Sequence, residues 1–513
     1  MSEEDDDDYE DNYGTKDIFD EIETTFAMVL DLHDDIDDSN SVHTDATSVV
    51  ENSWIDMMSP EDFTDLEYTV IDMLNDYMET EVEHMYMSAF EENMLNDIEE
   101  LVAKQLRDAG FSVDDDDTDL DEFIKNMYAE VCASNSAIVP RSRETYAPNQ
   151  LEESYKKHID SVLECLQNNE GQRYKQRTYE WYEYRAGLIT ASNIWKIFAG
   201  SQAVQNSLIY EKCKPFAGLA SSNTKESAGD GDTHNVSVSN GVSVSNGVSV
   251  SNGVSVSHVN TRTPFHWGNK YEPLSIKIYE KKYNTKVAEF GCIRHSKYSC
   301  IGASPDGINV CRDSPRYGRM IEVKNIYNRD ITGIPKDEYW IQMQFQMETC
   351  GLTECDFIET RFKEYETEDE FYSNEFIHDV RGIILYFVER NVNGIEHINP
   401  HYVYMPLDRS LEKADVDAWI EKTRDDMRMT HHLYEVLYWY LDEFSCVLVD
   451  INKLWLDSVI PKVESFWKII CEEKVSGFEH RSAKKRAPKD ESGPNRGGGG
   501  FCLIKLDADG NAL

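Results

Sequence analysis

The sequence predicts an α/β protein: a central mixed sheet flanked by helices, preceded by an acidic, mainly helical extension. Three observations predict it. Ile308-Asn309-Val310-Cys311, Met320-Ile321-Glu322-Val323-Lys324, Asp356-Phe357-Ile358-Glu359-Thr360, Ile383-Ile384-Leu385-Tyr386-Phe387-Val388 and His401-Tyr402-Val403-Tyr404-Met405 have the length and content of strands. Segments of helical length and pattern lie between and around them, including one from His266 to about Tyr283 and one from Lys336 to about Cys350. The first 140 residues hold 43 Asp and Glu against four Lys and Arg, and so stand apart from the rest.

The chain has 513 residues, 40% of them apolar, enough for more than one domain and a sizeable core. Of its net charge of −47, residues 141–513 carry only −8, and their 46 basic residues remain available to line a groove for an anionic polymer. Residues 1–60 read as an acidic disordered arm and 61–140 as an acidic helical region. In the latter, Tyr68, Val70, Ile71, Met73 and Leu74, then Met85, Met87, Phe90, Met94, Leu95 and Ile98, fall at amphipathic spacing. After a break at Gly110, a further run from Leu120 to Val131 completes a helical hairpin or small bundle. Two readings of this region stand: a solvated acidic accessory segment, or a mimic of nucleic-acid charge that occupies a basic groove or docks a basic partner.

Residues 141–150 read as a linker and 151–475 as the main α/β domain. Residues 151–200 read as helices, with Trp181, Tyr184, Leu188, Ile194, Ile197 and Phe198 on an apolar stripe. A low-complexity insertion at about 219–262 contains a tandem Val-Ser-Val-Ser-Asn-Gly repeat, read as an expanded surface loop without chemistry, although its Asn-Gly turns also suit small hairpins. Phe290 to Arg294 and Cys300 to Gly302 are expected strands. Residues 410–473 are expected to be helical, with Val436, Trp439, Tyr440 and Phe444 as core positions. From 476 the chain reads as a flexible tail, with the basic cluster His480-Arg481-Ser482-Ala483-Lys484-Lys485-Arg486 as a surface tail, a nucleic-acid contact or a nuclear address.

The chemistry concentrates between 267 and 346. Glu322 and Lys324 lie two apart in an apolar-flanked strand, so their side chains share one face. The stretch Asp313-Ser314-Pro315-Arg316-Tyr317-Gly318 has the composition of a hairpin connection, and it brings Asp306 back towards Glu322. Two neighbouring carboxylates suit a hard cation that keeps several waters, Mg²⁺ with Mn²⁺ as substitute. The ammonium beside them suits a metal-bound water or charge developing on phosphate.

Five blocks occur in order: Gln176-Arg177-Thr178-Tyr179-Glu180-Trp181 with Arg185-Ala186-Gly187 and Thr190-Ala191-Ser192; Trp267-Gly268-Asn269-Lys270-Tyr271-Glu272-Pro273; Ser304-Pro305-Asp306-Gly307; Glu322-Val323-Lys324; and Tyr339-Trp340-Ile341-Gln342-Met343-Gln344. This order resembles the PD-(D/E)XK nucleases, and within them the lambda-exonuclease branch, also called YqaJ-like viral recombinases, over roughly residues 172–360. The resemblance implies a restriction-endonuclease-like core and a divalent-metal-dependent DNA exonuclease, 5′ to 3′ on double-stranded ends. It implies that Asp306, Glu322, the Val323 carbonyl and Glu272 hold metal, that Lys324 and Gln342 position the attacking water, and that Arg185, Ser192, Ser304 and Tyr339 face phosphate or DNA. Gln344 and Gln346 are read as polar face residues, and Gly268 as a point of close approach between helix and sheet. Implied partners are duplex DNA ends and a single-strand annealing protein; a homo-oligomer stays open, since the acidic extension bears on whether the ring-shaped trimer of the lambda enzyme forms. The long acidic addition looks like those of large DNA viruses of eukaryotes.

The 11 cysteines are scattered without a Cys-x-x-Cys pair, which argues against a disulfide framework or zinc finger, and no apolar run reaches membrane-spanning length. A soluble, intracellular protein is expected, in the host cytoplasm or a viral factory, with nucleus or virion as other sites. Two rival functions remain: a structure-specific endonuclease or resolvase built on the same core, and a DNA-binding protein that has lost catalysis.

Overall fold

The computed structural model describes residues 54–114, 117–134, 151–174, 178–215, 248–251, 254–258, 261, 263–373, 378–390, 397–398 and 400–483. The acidic arm, the linker, Gln176-Arg177, most of the repeat and the tail from Lys484 lie outside them.

Three long helices, Pro60–Thr80, Phe90–Asp108 and Thr118–Ser134, form the acidic extension. Ser59 caps the first by accepting from the Asp62 N–H at 3.2 Å, and Pro60 occupies the first turn, where its missing N–H costs nothing. Leu66, Val70, Met73, Leu74 and Met78 form its buried stripe, three to four residues apart. Tyr68, expected on this stripe, and Met87, expected on that of the second amphipathic run, are exposed instead. The turn after the first helix docks on the main domain. There Trp455 Nε1 donates to the Glu83 carbonyl at 3.3 Å and the Ser88 N–H donates to Asp337 Oδ1 at 2.9 Å. The apolar stripes of the extension belong to the same buried cluster as Trp340, Phe345 and Trp455 of the main domain.

The strands, in chain order, are β1 Ile189–Thr190, β2 Val248–Ser251, β3 Val254–His258, β4 Val287–Ala288, β5 Ile293–Arg294, β6 Ile301–Ala303, β7 Gly307–Asn309, β8 Met320–Asn325, β9 Glu354–Glu364, β10 Arg381–Glu389, β11 His397–Ile398, β12 Pro400–Tyr404 and β13 His431–Asp450. The main sheet runs β12-β10-β13-β9-β8-β7-β4, antiparallel except for the parallel pair β8 and β9, which the helix Asp337–Cys350 joins. Helices flank this mixed sheet, the α/β architecture expected.

Three expectations are corrected. Residues 431–450 form one 20-residue strand rather than a helix. Val436, Trp439, Tyr440 and Phe444 satisfy helical spacing, but the stretch also alternates. Val436, Tyr438 and Tyr440 pack against Phe371 and Ile383 on one side, while Leu437, Trp439 and Leu441 pack against Tyr271 and Phe362 on the other. Aromatic and β-branched residues buried on both faces suit a strand between two neighbours. Gly382 serves the same packing, because a Cβ there would stand 2.8 Å from the Trp439 ring. Within 151–200, expected to be helical, Ile189–Thr190 is a short strand pairing parallel with β6. The described end of the repeat, read as a loop, pairs as the antiparallel hairpin β2-β3.

Glu348, near the end of the helix Asp337–Cys350, ties three elements. His295 Nε2 stands 3.6 Å from Glu348 Oε1, and Lys453 pairs with Oε2. These partners pull the carboxyl from 4.5 down to about 2. Its stabilising contribution is therefore complete above about pH 4.5 and is lost as pH falls towards 2. The melting temperature of the wild type should fall more steeply below pH 4.5 than that of Glu348→Gln; superimposable profiles would exclude this group as a source of acid sensitivity. Among the described residues, no helix is long and apolar enough to cross a membrane.

Candidate active site

β7 and β8 form a hairpin through the Asp313–Gly318 connection. Gly318 adopts φ +83°, and a Cβ on it would press within 2.8 Å of Ile159, so glycine is required for both reasons. Gly307 pairs with Ile321. Continuing that antiparallel register by one residue sets Asp306 opposite Glu322. Asp306 Oδ2 accepts from the Val323 N–H at 2.7 Å. The N–H and C=O of one strand residue leave by the same edge, so the Val323 carbonyl faces the side on which Asp306 stands.

Glu322 is only 1% exposed and its carboxylate is met from two directions. Lys324 Nζ, from the same strand face, donates to Oε1 at 2.5 Å. From the helix Asp337–Cys350, Gln342 Nε2 donates to Oε1 at 2.8 Å and Gln346 Nε2 to Oε2 at 2.9 Å. Residues 342 and 346 are one turn apart, so one helix face grips both oxygens. Tyr339, three residues before Gln342, places its ring 4.6 Å from Lys324 Nζ. The sequence reading left Gln344 and Gln346 as polar face residues, and the structure corrects it for both: each is buried. Gln344 fastens the opposite side of the helix to the end of β13, donating to the Asp450 carbonyl at 2.9 Å and accepting from the Asn452 N–H at 2.7 Å. Three glutamines at alternate positions between Ile341 and Met347, in an otherwise apolar stretch of the helix, are the signal in the sequence.

Burial, followed by the charges of Glu322 and Glu272, pushes the Asp306 carboxyl well above the usual range. Burial alone would lower the Lys324 ammonium, but Glu322 and Asp306 outweigh it and hold the group protonated. Glu272 lies half-buried on the helix Pro264–Tyr283. Asn325, just past Lys324, anchors that helix: its Nδ2 donates to the Gly268 carbonyl at 3.0 Å, and its Oδ1 accepts from Ser275 Oγ at 2.7 Å. Gly268 is thus used through its carbonyl. A Cβ there would meet nothing within 4 Å, so the expectation of a glycine-dependent close approach is not met.

A second cluster stands beside the first. Arg185 is buried, stacks 4.3 Å from the Trp181 ring centroid and donates from Nη1 to Ser304 Oγ at 2.9 Å. Desolvation lowers its pKa, the expected result for a guanidinium taken from water. Gln346 Nε2 also lies 3.4 Å from the Ser304 carbonyl, so this one side chain links the two clusters. Ser192 is half-exposed and pairs with Thr190 Oγ1 at 3.2 Å.

The donors fit a hard cation. Asp306, Glu322, the Val323 carbonyl and Glu272 all offer oxygen donors, and a divalent ion would offset the burial and like charge that raise Asp306. Glu322 Oε2 accepts one hydrogen bond, from Gln346, and keeps a lone pair for a cation, whereas Lys324 and Gln342 take both lone pairs of Oε1. Among the described residues, no three His, Cys, Asp or Glu side chains are grouped so that they could hold a metal ion by themselves, so the fit rests on the carboxylates of Asp306 and Glu322 with the Val323 carbonyl.

The hairpin that presents Asp306, Glu322 and Lys324 on a mixed sheet, backed by a glutamine-bearing helix, has the α/β arrangement that the sequence predicts. Residues 180–355 match the model of the YqaJ-like viral recombinase domain. The likeness to this family thus covers about a third of the chain, from Glu180 to Cys355. An uncharacterised protein of Acanthamoeba polyphaga mimivirus is 27% identical over 236 residues, 40% of this chain and 43% of that protein, so the chain spans less than half the length of this relative. An alkaline exonuclease, LHK-Exo of Laribacter hongkongensis, is similar at 18% identity and a TM-score of 0.29, over 58% of this chain and 94% of that one. Its complex with dAMP gives 18% identity and 0.28.

Proposed function

We propose that the chain is a divalent-metal-dependent exonuclease that degrades linear double-stranded DNA from 5′ to 3′, acting in viral recombination, replication or repair within the host cell. The observation that carries this reading is the joining, by Gln346, of a carboxylate–lysine cluster to the Arg185–Ser304 cluster. One set of residues suits metal and water, the other an anionic phosphate.

Asp306, Glu322 and the Val323 carbonyl, with Glu272 behind them, would hold Mg²⁺ or Mn²⁺, which when bound polarises the phosphate and lowers the pKa of water. Lys324 is held protonated against Glu322, and Tyr339 fixes its direction; from there it orients the nucleophile and meets charge developing on the phosphate. Gln342 and Gln346 restrict Glu322 to one rotamer. Arg185 offers a planar fork, and Ser192 a hydroxyl, to the phosphate at the strand end, which favours attack at ends over internal sites. The 3′ overhang so produced is the substrate for a single-strand annealing partner.

The test is Mg²⁺-dependent digestion of linear duplex labelled at either end, beside a covalently closed circle. Release of the 5′ label from the linear DNA alone is expected. Nicking of the circle would make the protein an endonuclease, and binding without cleavage would leave only a catalytically inactive DNA-binding role. Gln346→Ala should lower turnover by about tenfold to a hundredfold, the usual effect of losing a group that orients a metal ligand, with the DNA dissociation constant little changed. Wild-type turnover in that variant would return Gln346 to a packing role.

A further inference from the structure

On the face of the helix Asp337–Cys350 next to the one that grips Glu322 lies a cavity of about 480 Å³. Three parts of the chain build it: Tyr86 and Ser88 from the acidic extension, Trp195 and Phe198 from the segment that follows Ser192, and Lys336 with Glu338 from the start of the helix. Phe198 is buried and the Tyr86 ring lies 6.1 Å from it, while Tyr86 and Trp195 are half-buried. The hydrogen bond from the Ser88 N–H to Asp337 Oδ1 holds the extension against the helix here. Its lining adjoins the site along the chain: Trp195 is three residues beyond Ser192, Glu338 precedes Tyr339, whose ring meets Lys324, and Ile341 precedes Gln342.

We propose that this cavity receives the base of the terminal nucleotide of the strand whose phosphate Arg185 and Ser192 hold, an inference that rests on the nuclease reading. Aromatic faces stack on any base, which suits an enzyme that must accept every sequence. The carboxylates of Asp337 and Glu338 repel phosphate, so the backbone is kept out of the cavity, yet they accept hydrogen bonds from exocyclic amino groups of bases. Lys336 at the lip suits the phosphate of the adjoining nucleotide. The acidic extension, through Tyr86 and Ser88, then completes the substrate site instead of serving only as a charged appendage.

The full chain, with Ca²⁺ replacing Mg²⁺ so that binding is read before cleavage, is titrated into duplexes carrying 2-aminopurine at the 5′ terminus or at an interior position. Stacking should quench the terminal probe several-fold more than the interior one. Tyr86→Leu and Trp195→Leu should remove most of that difference and weaken binding of the end by about tenfold, whereas Tyr86→Phe, which keeps the ring, should behave as wild type. Melting curves confirm that each variant is folded. Cleavage of linear duplex by the wild type in Mg²⁺ without preferential quenching of the terminal probe overturns the cavity assignment and leaves the nuclease reading intact. Equal quenching by Tyr86→Leu and wild type overturns it likewise. A wild-type chain that neither binds nor cleaves DNA overturns both.

Discussion

Glu322→Gln should lose DNA cleavage by about a thousandfold while melting within a few degrees of the wild type, a drop comparable to removing one preorganised electrostatic group from an active site. The substitution removes a full negative charge from the place where Asp306, Lys324 and the proposed metal converge, so neither metal affinity nor the lysine's position survives. The fold should survive because the hydrogen bonds can be reversed. Gln346 now donates to Glu322 Oε2, and its own Oε1 is buried without a partner. An amide at position 322 would present N–H where a carboxylate oxygen stood, and rotation of the Gln346 amide would turn that free oxygen to accept from it. Lys324→Ala should lose activity to a similar degree, through removal of the ammonium 2.5 Å from Glu322. Measured turnover on end-labelled duplex, read beside thermal melts, checks both. Retention of even a tenth of wild-type turnover by Glu322→Gln would remove the carboxylate from the chemistry.

The largest expected effect on stability lies behind the site. Asp356 of β9 is 1% exposed and takes hydrogen bonds from Arg316, from Arg319 Nη1 at 3.0 Å and from Tyr279 at 2.5 Å. Arg319 is itself 1% exposed, and its Nη2 has no partner. Asp356→Ala would leave the buried Arg319 with only the half-buried Glu354 as a carboxylate partner, bonded to its Nε at 2.9 Å, and the buried Arg316 with no carboxylate, only Cys446 Sγ at 3.9 Å and the Tyr283 ring at 3.7 Å. Breaking a buried pair from one side costs about 3–5 kcal/mol, because the stranded charge is no longer compensated. Both arginines lie at the end of the β7–β8 connection, and Asp356 is the ladder partner of Ile321, one residue before Glu322. Activity should therefore fall together with stability. Urea denaturation of Asp356→Ala checks the prediction; a loss below about 1 kcal/mol would mean that the guanidiniums find water or other acceptors on relaxation.

What the sequence by itself determined is the part carried by short spacing. Glu322-Val323-Lys324 places two side chains on one strand face whatever surrounds it, and the composition of Asp313–Gly318 returns the chain, so the meeting of Asp306, Glu322 and Lys324 was legible before any tertiary contact. The stripes of the acidic helices were legible for the same reason: a period of 3.6 is local. Tertiary structure decided what depends on partners distant in the chain. The stretch 431–450 satisfies helical and extended periods alike, and only the flanking strands β9 and β10 select the extended form by pairing its backbone and burying both faces. Gln346 looked like any polar residue on a helix until β8 arrived beneath it, and Tyr86 has a role near the site only because Trp455, Asn452 and Asp337 seat its turn there. Periodicity fixes which way a side chain points along its own element; what it points at is settled by packing between elements, and a single sequence does not encode that locally.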